Sequence, residues 1–195
     1  RRMGLPIEKL VIATNHNDIL DRAIKSGAYV TDGVRPSISP SMDIQVSSNF
    51  ERALFDAYGR DGAAVSALMA ELKTGGFKIS QGAMQMLRDT FASGRCSEDE
   101  TRATITRSFK TTGEVLCPHS AVGVKVAEEN LGAAPMITLA TAHPAKFPDA
   151  VEQAMGQRPA LPLRMADLFD RPERVTRVAN DLAALQSIVR ERTGR

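Results

Sequence analysis

Twice in this chain a short apolar run passes through a polar turn into a helical pattern. That succession limits the fold more than any other feature. Lys9-Leu-Val-Ile-Ala-Thr14 is too short for most helices and fits a strand buried on both faces. Asn15-His-Asn-Asp18 follows, and then Ile19, Leu20, Ala23 and Ile24 recur at helical spacing up to Gly27. Met136-Ile-Thr-Leu139 reads as a second short buried strand. Thr141 to Lys146 is polar, and Pro148 opens a helical face of Ala150, Val151, Ala154 and Met155. Strand, turn and helix in this order form the winding unit of an α/β fold with a mostly parallel sheet. In such sheets ligands collect just outside the carboxyl ends of the strands. Thr141 to Lys146 therefore reads as a ligand loop, with Pro144 restricting His143 to extended geometry.

The middle of the chain reads as helical. Ser48 with Glu51 and Ser97 with Glu100 have the spacing of capping boxes, and Asp61 and Ser80 suit helix starts. Met84, Leu87 and Phe91 are expected to face inward on one helix, with Gly94 after it. Phe77-Lys-Ile79 suits a short extended piece, and Tyr29 to Val46 a long loop with one short strand. Val115-Leu-Cys117 before the Pro118 helix is a candidate third strand–helix unit, its helical face Val122, Val126 and Leu131. A third capping box, Asp170 with Glu173, precedes the stripe Val175, Val178, Leu182, Leu185 and Val189. Arg1-Arg-Met-Gly-Leu-Pro6 reads as a helix end without its helix, so a carboxyl-terminal piece of a longer chain is expected.

A net charge of +2 gives no general pull toward nucleic acid or anionic membrane. No apolar run approaches the ~18 residues of a membrane span, and no leader opens the chain, so a cytoplasmic protein is expected. Cys96 and Cys117 carry no metal spacing, and neither do His16, His119 and His143. Glycine-rich nucleotide loops and a nucleophile elbow are missing.

From the residues alone, His143 could orient a ligand or, the simpler reading, bond the backbone in a turn, and Lys146 could be a catalytic amine or, more simply, a solvated cation. Thr141 is left between a donor to a ring nitrogen and a cap. Asn15, Asn17 and Asp18 read as helix caps. Asn49 and Arg52 lie on the first turn of a helix, where amide dipoles favour an anion, though a solvated Arg52 is the simpler reading.

Four segments in order carry a family resemblance. They are Met3-Gly-Leu-Pro6 with Ala13-Thr-Asn-His-Asn-Asp18, Ser41-Met-Asp-Ile-Gln-Val-Ser-Ser-Asn-Phe-Glu-Arg52, Pro118-His-Ser-Ala-Val-Gly123 and Thr141-Ala-His-Pro-Ala-Lys-Phe147. Together they resemble threonine synthase, with Ser120 standing where that family's motif has Thr. The resemblance implies the tryptophan synthase β-like fold, called fold type II among pyridoxal 5'-phosphate (PLP) enzymes. The chain would be the carboxyl-terminal part of the large PLP-binding domain, with family-specific helices over about 48–112. The implied reaction converts O-phospho-L-homoserine and water to L-threonine and phosphate, with PLP as electron sink.

The resemblance places Thr141 against the pyridine nitrogen as a neutral partner. It leaves Ser41, Asn49 and Arg52 as candidates for the substrate phosphate. The family's PLP-binding lysine and cofactor-phosphate loop lie toward the amino terminus, outside these 195 residues. No catalytic residue is therefore expected in this chain, and alone it should be inactive. The rivals are another fold type II enzyme, such as a threonine dehydratase, and a non-catalytic α/β interaction domain.

Overall fold

Leu10–Thr14 forms strand β1, whose side chains alternate between two apolar layers. Ile12 packs against one cluster, built on Ile19, Ala23, Tyr29, Phe50 and Leu54. Val11 and Ala13 pack against the other, built on Cys96, Val122 and Val126. Both faces of the strand are thus covered, as its unbroken apolar run requires. These features come from a computed structural model that describes residues 3–194.

The turn after β1 leads into α1 (Ile19–Ser26), closed by Gly27 in the left-handed conformation. β2 (Ala28–Val30) pairs antiparallel with β3 (Gly76–Lys78), and α2 (Phe50–Ala57) and α3 (Gly62–Leu72) lie between them in sequence. Tyr29 stacks on Phe77 and Phe50, with ring centroids 5.0 and 5.7 Å apart. α4 (Gln81–Thr90) then leads directly into β4 (Phe91–Arg95), which pairs parallel with β1, Leu10 opposite Phe91 and Thr14 opposite Arg95. α5 (Glu98–Thr112), α6 (Pro118–Glu128) and α7 (Pro148–Met155) follow. The chain divides into two units, Arg1–Ala160 and Leu161–Arg195. The second holds α8 (Leu182–Thr193), and none of its described residues is buried. No described helix is long and apolar enough to cross a membrane.

Several expectations are corrected. Phe91 to Gly94 is not a helix end but strand β4. Gly94 sits there because α6 passes so close that a Cβ would lie 2.7 Å from Val126 Cγ1. Met136–Leu139 is not a buried strand: among the described residues no strand pairs with it, and Ile137 and Leu139 are 82% and 75% exposed. An extended run without a ladder partner is a coil, whatever its composition. Val115–Cys117 is likewise coil. α2 starts at Asn49 without a side-chain cap, so Ser48 and Glu51 form no capping box. Asp170 and Glu173 start no helix, and residues 171–180 are irregular. Leu131 lies beyond α6 and is 67% exposed. The Ser97–Glu100 box and the caps by Asp61 and Ser80 form as read. The expected helix end at Arg1 and Arg2 lies outside the described residues.

Candidate functional site

The first turn of α6 gathers two loops that are far apart in sequence. Pro118 occupies the opening helical position, where its missing N–H costs nothing, and the Cys117 thiol accepts from the Ser120 N–H at 3.4 Å. That leaves the side chains of His119 and Ser120 to hold other elements. The Ser120 hydroxyl accepts the Thr141 N–H at 3.1 Å and lies 3.4 Å from Thr141 Oγ1. Cys117 Sγ is 3.2 Å from the Ser120 hydroxyl and 3.9 Å from that of Thr141. Just upstream, Thr138 closes on Gly123 so tightly that a Cβ there would be 3.0 Å from Thr138 Cγ2. The Thr141 loop is therefore seated on α6 although its apolar run forms no strand.

His119 holds the other loop. Its Nε2 accepts the Ser41 N–H at 3.2 Å, and its ring lies 4.6 Å from that of Phe147, tilted by 48°. An accepting nitrogen carries no proton, so the neutral ring holds its proton on Nδ1. That Nδ1 is buried and meets no hydrogen-bond partner among the described residues. Burial first, and then the Lys146 ammonium, push the His119 pKa below its ordinary value; the Asp43 carboxylate opposes them.

The Ser41 loop has a second anchor at the end of β1. Asn15 donates from Nδ2 to Ser39 Oγ at 3.0 Å and Asp43 Oδ1 at 2.8 Å. Asn17 donates to the same carboxylate oxygen at 2.9 Å and accepts the Arg35 N–H at 2.8 Å. Asp43 Oδ2 takes the Ser37 N–H at 2.8 Å. Asn15 and Asn17, read as helix caps, thus pin the loop of residues 31–47 instead. Asp18 precedes α1 but pairs with Arg22 and Arg95 rather than capping with its side chain. This anchor was missed because its halves are some 26 residues apart, as Asn17 and Asp43 are. The one available signal was an Asn-x-Asn turn after a buried strand, followed by an unusually long loop.

The remaining candidates have different partners. Arg52 Nη2 donates to Asn49 Oδ1 at 2.7 Å, and both residues are exposed on the first turn of α2. Ser41 lies against His119, at the other anchor. His143 Nδ1 accepts the Ala145 N–H at 3.2 Å, which is the turn role read from sequence. Lys146 is exposed, its ammonium 5.9 Å from the Phe147 ring centroid. Among the described residues no group of three or more His, Cys, Asp or Glu gathers around a common point for a metal.

The family model "Threonine synthase, C-terminal" matches residues 120–189. Threonine synthase of Pseudomonas aeruginosa is 47% identical, over 100% of this chain and 42% of its own length. The PLP-bound threonine synthase from Brucella melitensis superposes with a TM-score of 0.94 at 55% identity, over 100% of this chain and 42% of that one. Over its whole length the chain is similar to threonine synthases, and residues 120–189 match their carboxyl-terminal model. Yeast threonine synthase gives a TM-score of 0.84 at 36% identity, over 99% of this chain and 43% of that one. The chain thus spans about 42% of the length of the threonine synthases it matches. The α/β class is that of these structures, and the parallel β1–β4 pair with its flanking helices is a partial domain.

Proposed function

We propose that this chain is the carboxyl-terminal part of a cytoplasmic PLP-dependent threonine synthase that converts O-phospho-L-homoserine and water to L-threonine and phosphate. The observation that carries the reading is Thr141, an exposed residue whose main chain is held by Ser120, in a chain matched throughout by a PLP-bound relative. Its neighbours are the Ser120 hydroxyl, at 3.4 Å, and the Cys117 sulfur, at 3.9 Å, with no carboxylate among these contacts. That donor set fits a pyridine nitrogen that needs a neutral partner. A carboxylate there would hold a proton on the ring. When bound, PLP supplies an electron sink for the substrate carbanion.

In this reading Thr141 bonds the ring nitrogen and Ser120 fixes the Thr141 main chain. Ser41, Asn49 and Arg52 bind the substrate phosphate. Asn49 holds the Arg52 guanidinium, which can take two phosphate oxygens at once. The chain contributes part of the large PLP-binding domain, with the elements over about 48–112 specific to the family. None of its lysines carries the cofactor, so the 195 residues alone are inactive.

The test is phosphate release from O-phosphohomoserine with PLP, by the complete protein and by the 195-residue chain in parallel. Release is expected from the first and none from the second. Thr141→Ala in the complete protein should shift the cofactor absorbance and lower turnover by roughly tenfold or more, the scale of one lost hydrogen bond. A protein that binds PLP and releases no phosphate is a different fold type II enzyme. An unchanged spectrum and rate in Thr141→Ala would remove Thr141 from the ring nitrogen.

A further inference from the structure

His119 and Ser120 are consecutive on α6, yet they hold different loops: His119 the Ser41 main chain and Ser120 the Thr141 main chain. Resting on the reading above, we propose that His119 is a positioning residue for the phosphate-binding segment. Its acceptor nitrogen sets Ser41 at a fixed place relative to Thr141. Three observations support this. First, Ser41 is the second residue of a 3₁₀ turn, Pro40–Met42, whose opening residue Pro40 has no N–H. The first N–H groups of a helical turn find no partner inside it, so the Ser41 donor needs one from outside. His119 is that partner, at 3.2 Å.

Second, His119 is 8% exposed and its ring leans on Phe147, the residue that closes the Thr141 loop, so its orientation is fixed from both sides. Third, the bond to Ser41 leaves Nδ1 buried without a hydrogen-bond partner among the described residues. An unspent buried donor is a cost that packing alone would not retain. A Leu or Met would fill the same space without it.

The bond exists only while the ring is neutral, because a protonated imidazole has no acceptor. The charged groups acting on His119 are Lys146, which with burial keeps it neutral, and Asp43, which favours the proton. Acidification below the ordinary histidine value of 6.5 therefore moves toward release of Ser41.

The experiment compares wild type, His119→Gln and His119→Leu in the complete protein from about pH 5 to 8, the range where histidine titrates. Gln offers a neutral acceptor at every pH, and Leu offers none. Hydrogen exchange at the Ser41 amide reads the coupling directly. The kcat and KM for O-phosphohomoserine read its consequence, and PLP affinity by absorbance titration reads the Thr141 side. In Leu, exchange at Ser41 and KM should each rise about tenfold, one hydrogen bond's worth, with kcat and PLP affinity much less affected. Gln should recover most of that loss. Wild-type KM should rise at acid pH, and that of Gln should stay nearly flat.

Unchanged exchange in Leu overturns the coupling. Faster exchange with an unchanged KM makes His119 merely structural. An acid rise of KM equal in Gln and wild type overturns the protonation step. If wild type releases no phosphate, the functional reading fails and the positioning role with it, while exchange still reports whether His119 holds Ser41.

Discussion

At the scale of single residues, the short-range signals were legible and the long-range ones were not. Ser97 and Glu100 lie three apart, and their capping box forms: the Ser97 N–H donates to Glu100 Oε2 at 2.7 Å and the Glu100 N–H to Ser97 Oγ at 3.3 Å. The Ser97 main-chain N–H, then its hydroxyl, and then Lys125 hold the Glu100 pKa down to about 2, against some desolvation. A lowered carboxylate contributes stability that is present above its unfolded value, here near 4.5, and is lost as pH falls toward about 2. Glu100 is 48% exposed, so solvent screening reduces what that shift is worth. Ser97→Ala should cost about 1 kcal/mol in urea denaturation at pH 7. The gap from wild type should narrow between about pH 4.5 and pH 2 as the partner carboxylate protonates. A gap as wide at pH 3 as at pH 7 would mean that the hydroxyl cap alone stabilises α5. No comparable local spacing announces the Asn15–Asp43 or His119–Ser41 bonds, whose partners meet only after the sheet and α6 are assembled.

At the scale of elements, the period of the apolar residues identified β1, α1 and α6 but mistook β4 for the end of a helix. Met84, Leu87 and Phe91 do continue at helical spacing, and the backbone changes at Phe91 because β1 offers a ladder there. Gly94 marked the place, as a close approach rather than a stop. Its neighbour Val126 is fully buried, with the nearest methyl 2.7 Å from where a Cβ would stand. Gly94→Ala must push α6 off β4 and should cost about 1–3 kcal/mol, the range for overpacking a core. Val126→Ala alone should also destabilise, by leaving a cavity. Combined, the two should cost less than their sum, since each relieves the other's fault. A strictly additive double variant in thermal or urea unfolding would show that the backbone yields without strain. The opposite mistake, a strand read at Met136–Leu139, has the mirror cause: apolar composition was present and a pairing neighbour was not.

At the scale of the whole molecule, the apolar stripe from Val175 to Val189 was the plainest in the sequence, yet it produces the least packed structure. Helical stability in proteins comes mostly from burying an amphipathic face, and an isolated helix of about 12 residues is marginal in water. Leu182, Leu185 and Val189 are 68%, 51% and 51% exposed, and Val175 is 71% exposed. The stripe therefore supports a helix only from Leu182, where the Asp181 side chain accepts the Ala184 N–H at 2.8 Å, and none over 171–180. Residues 3–160 contain both apolar clusters and every buried residue among those described. Resistance to proteolysis follows the free energy of local opening, which is smallest where nothing is buried. Brief digestion of the 195-residue chain with trypsin should cut first after Arg174 or Arg177, while Arg171 is protected by Pro172. Mass spectrometry of the earliest fragments checks it. First cuts after Arg60 or Lys73, between the helices of the larger unit, would place the weakest point of the chain inside its core-bearing part instead.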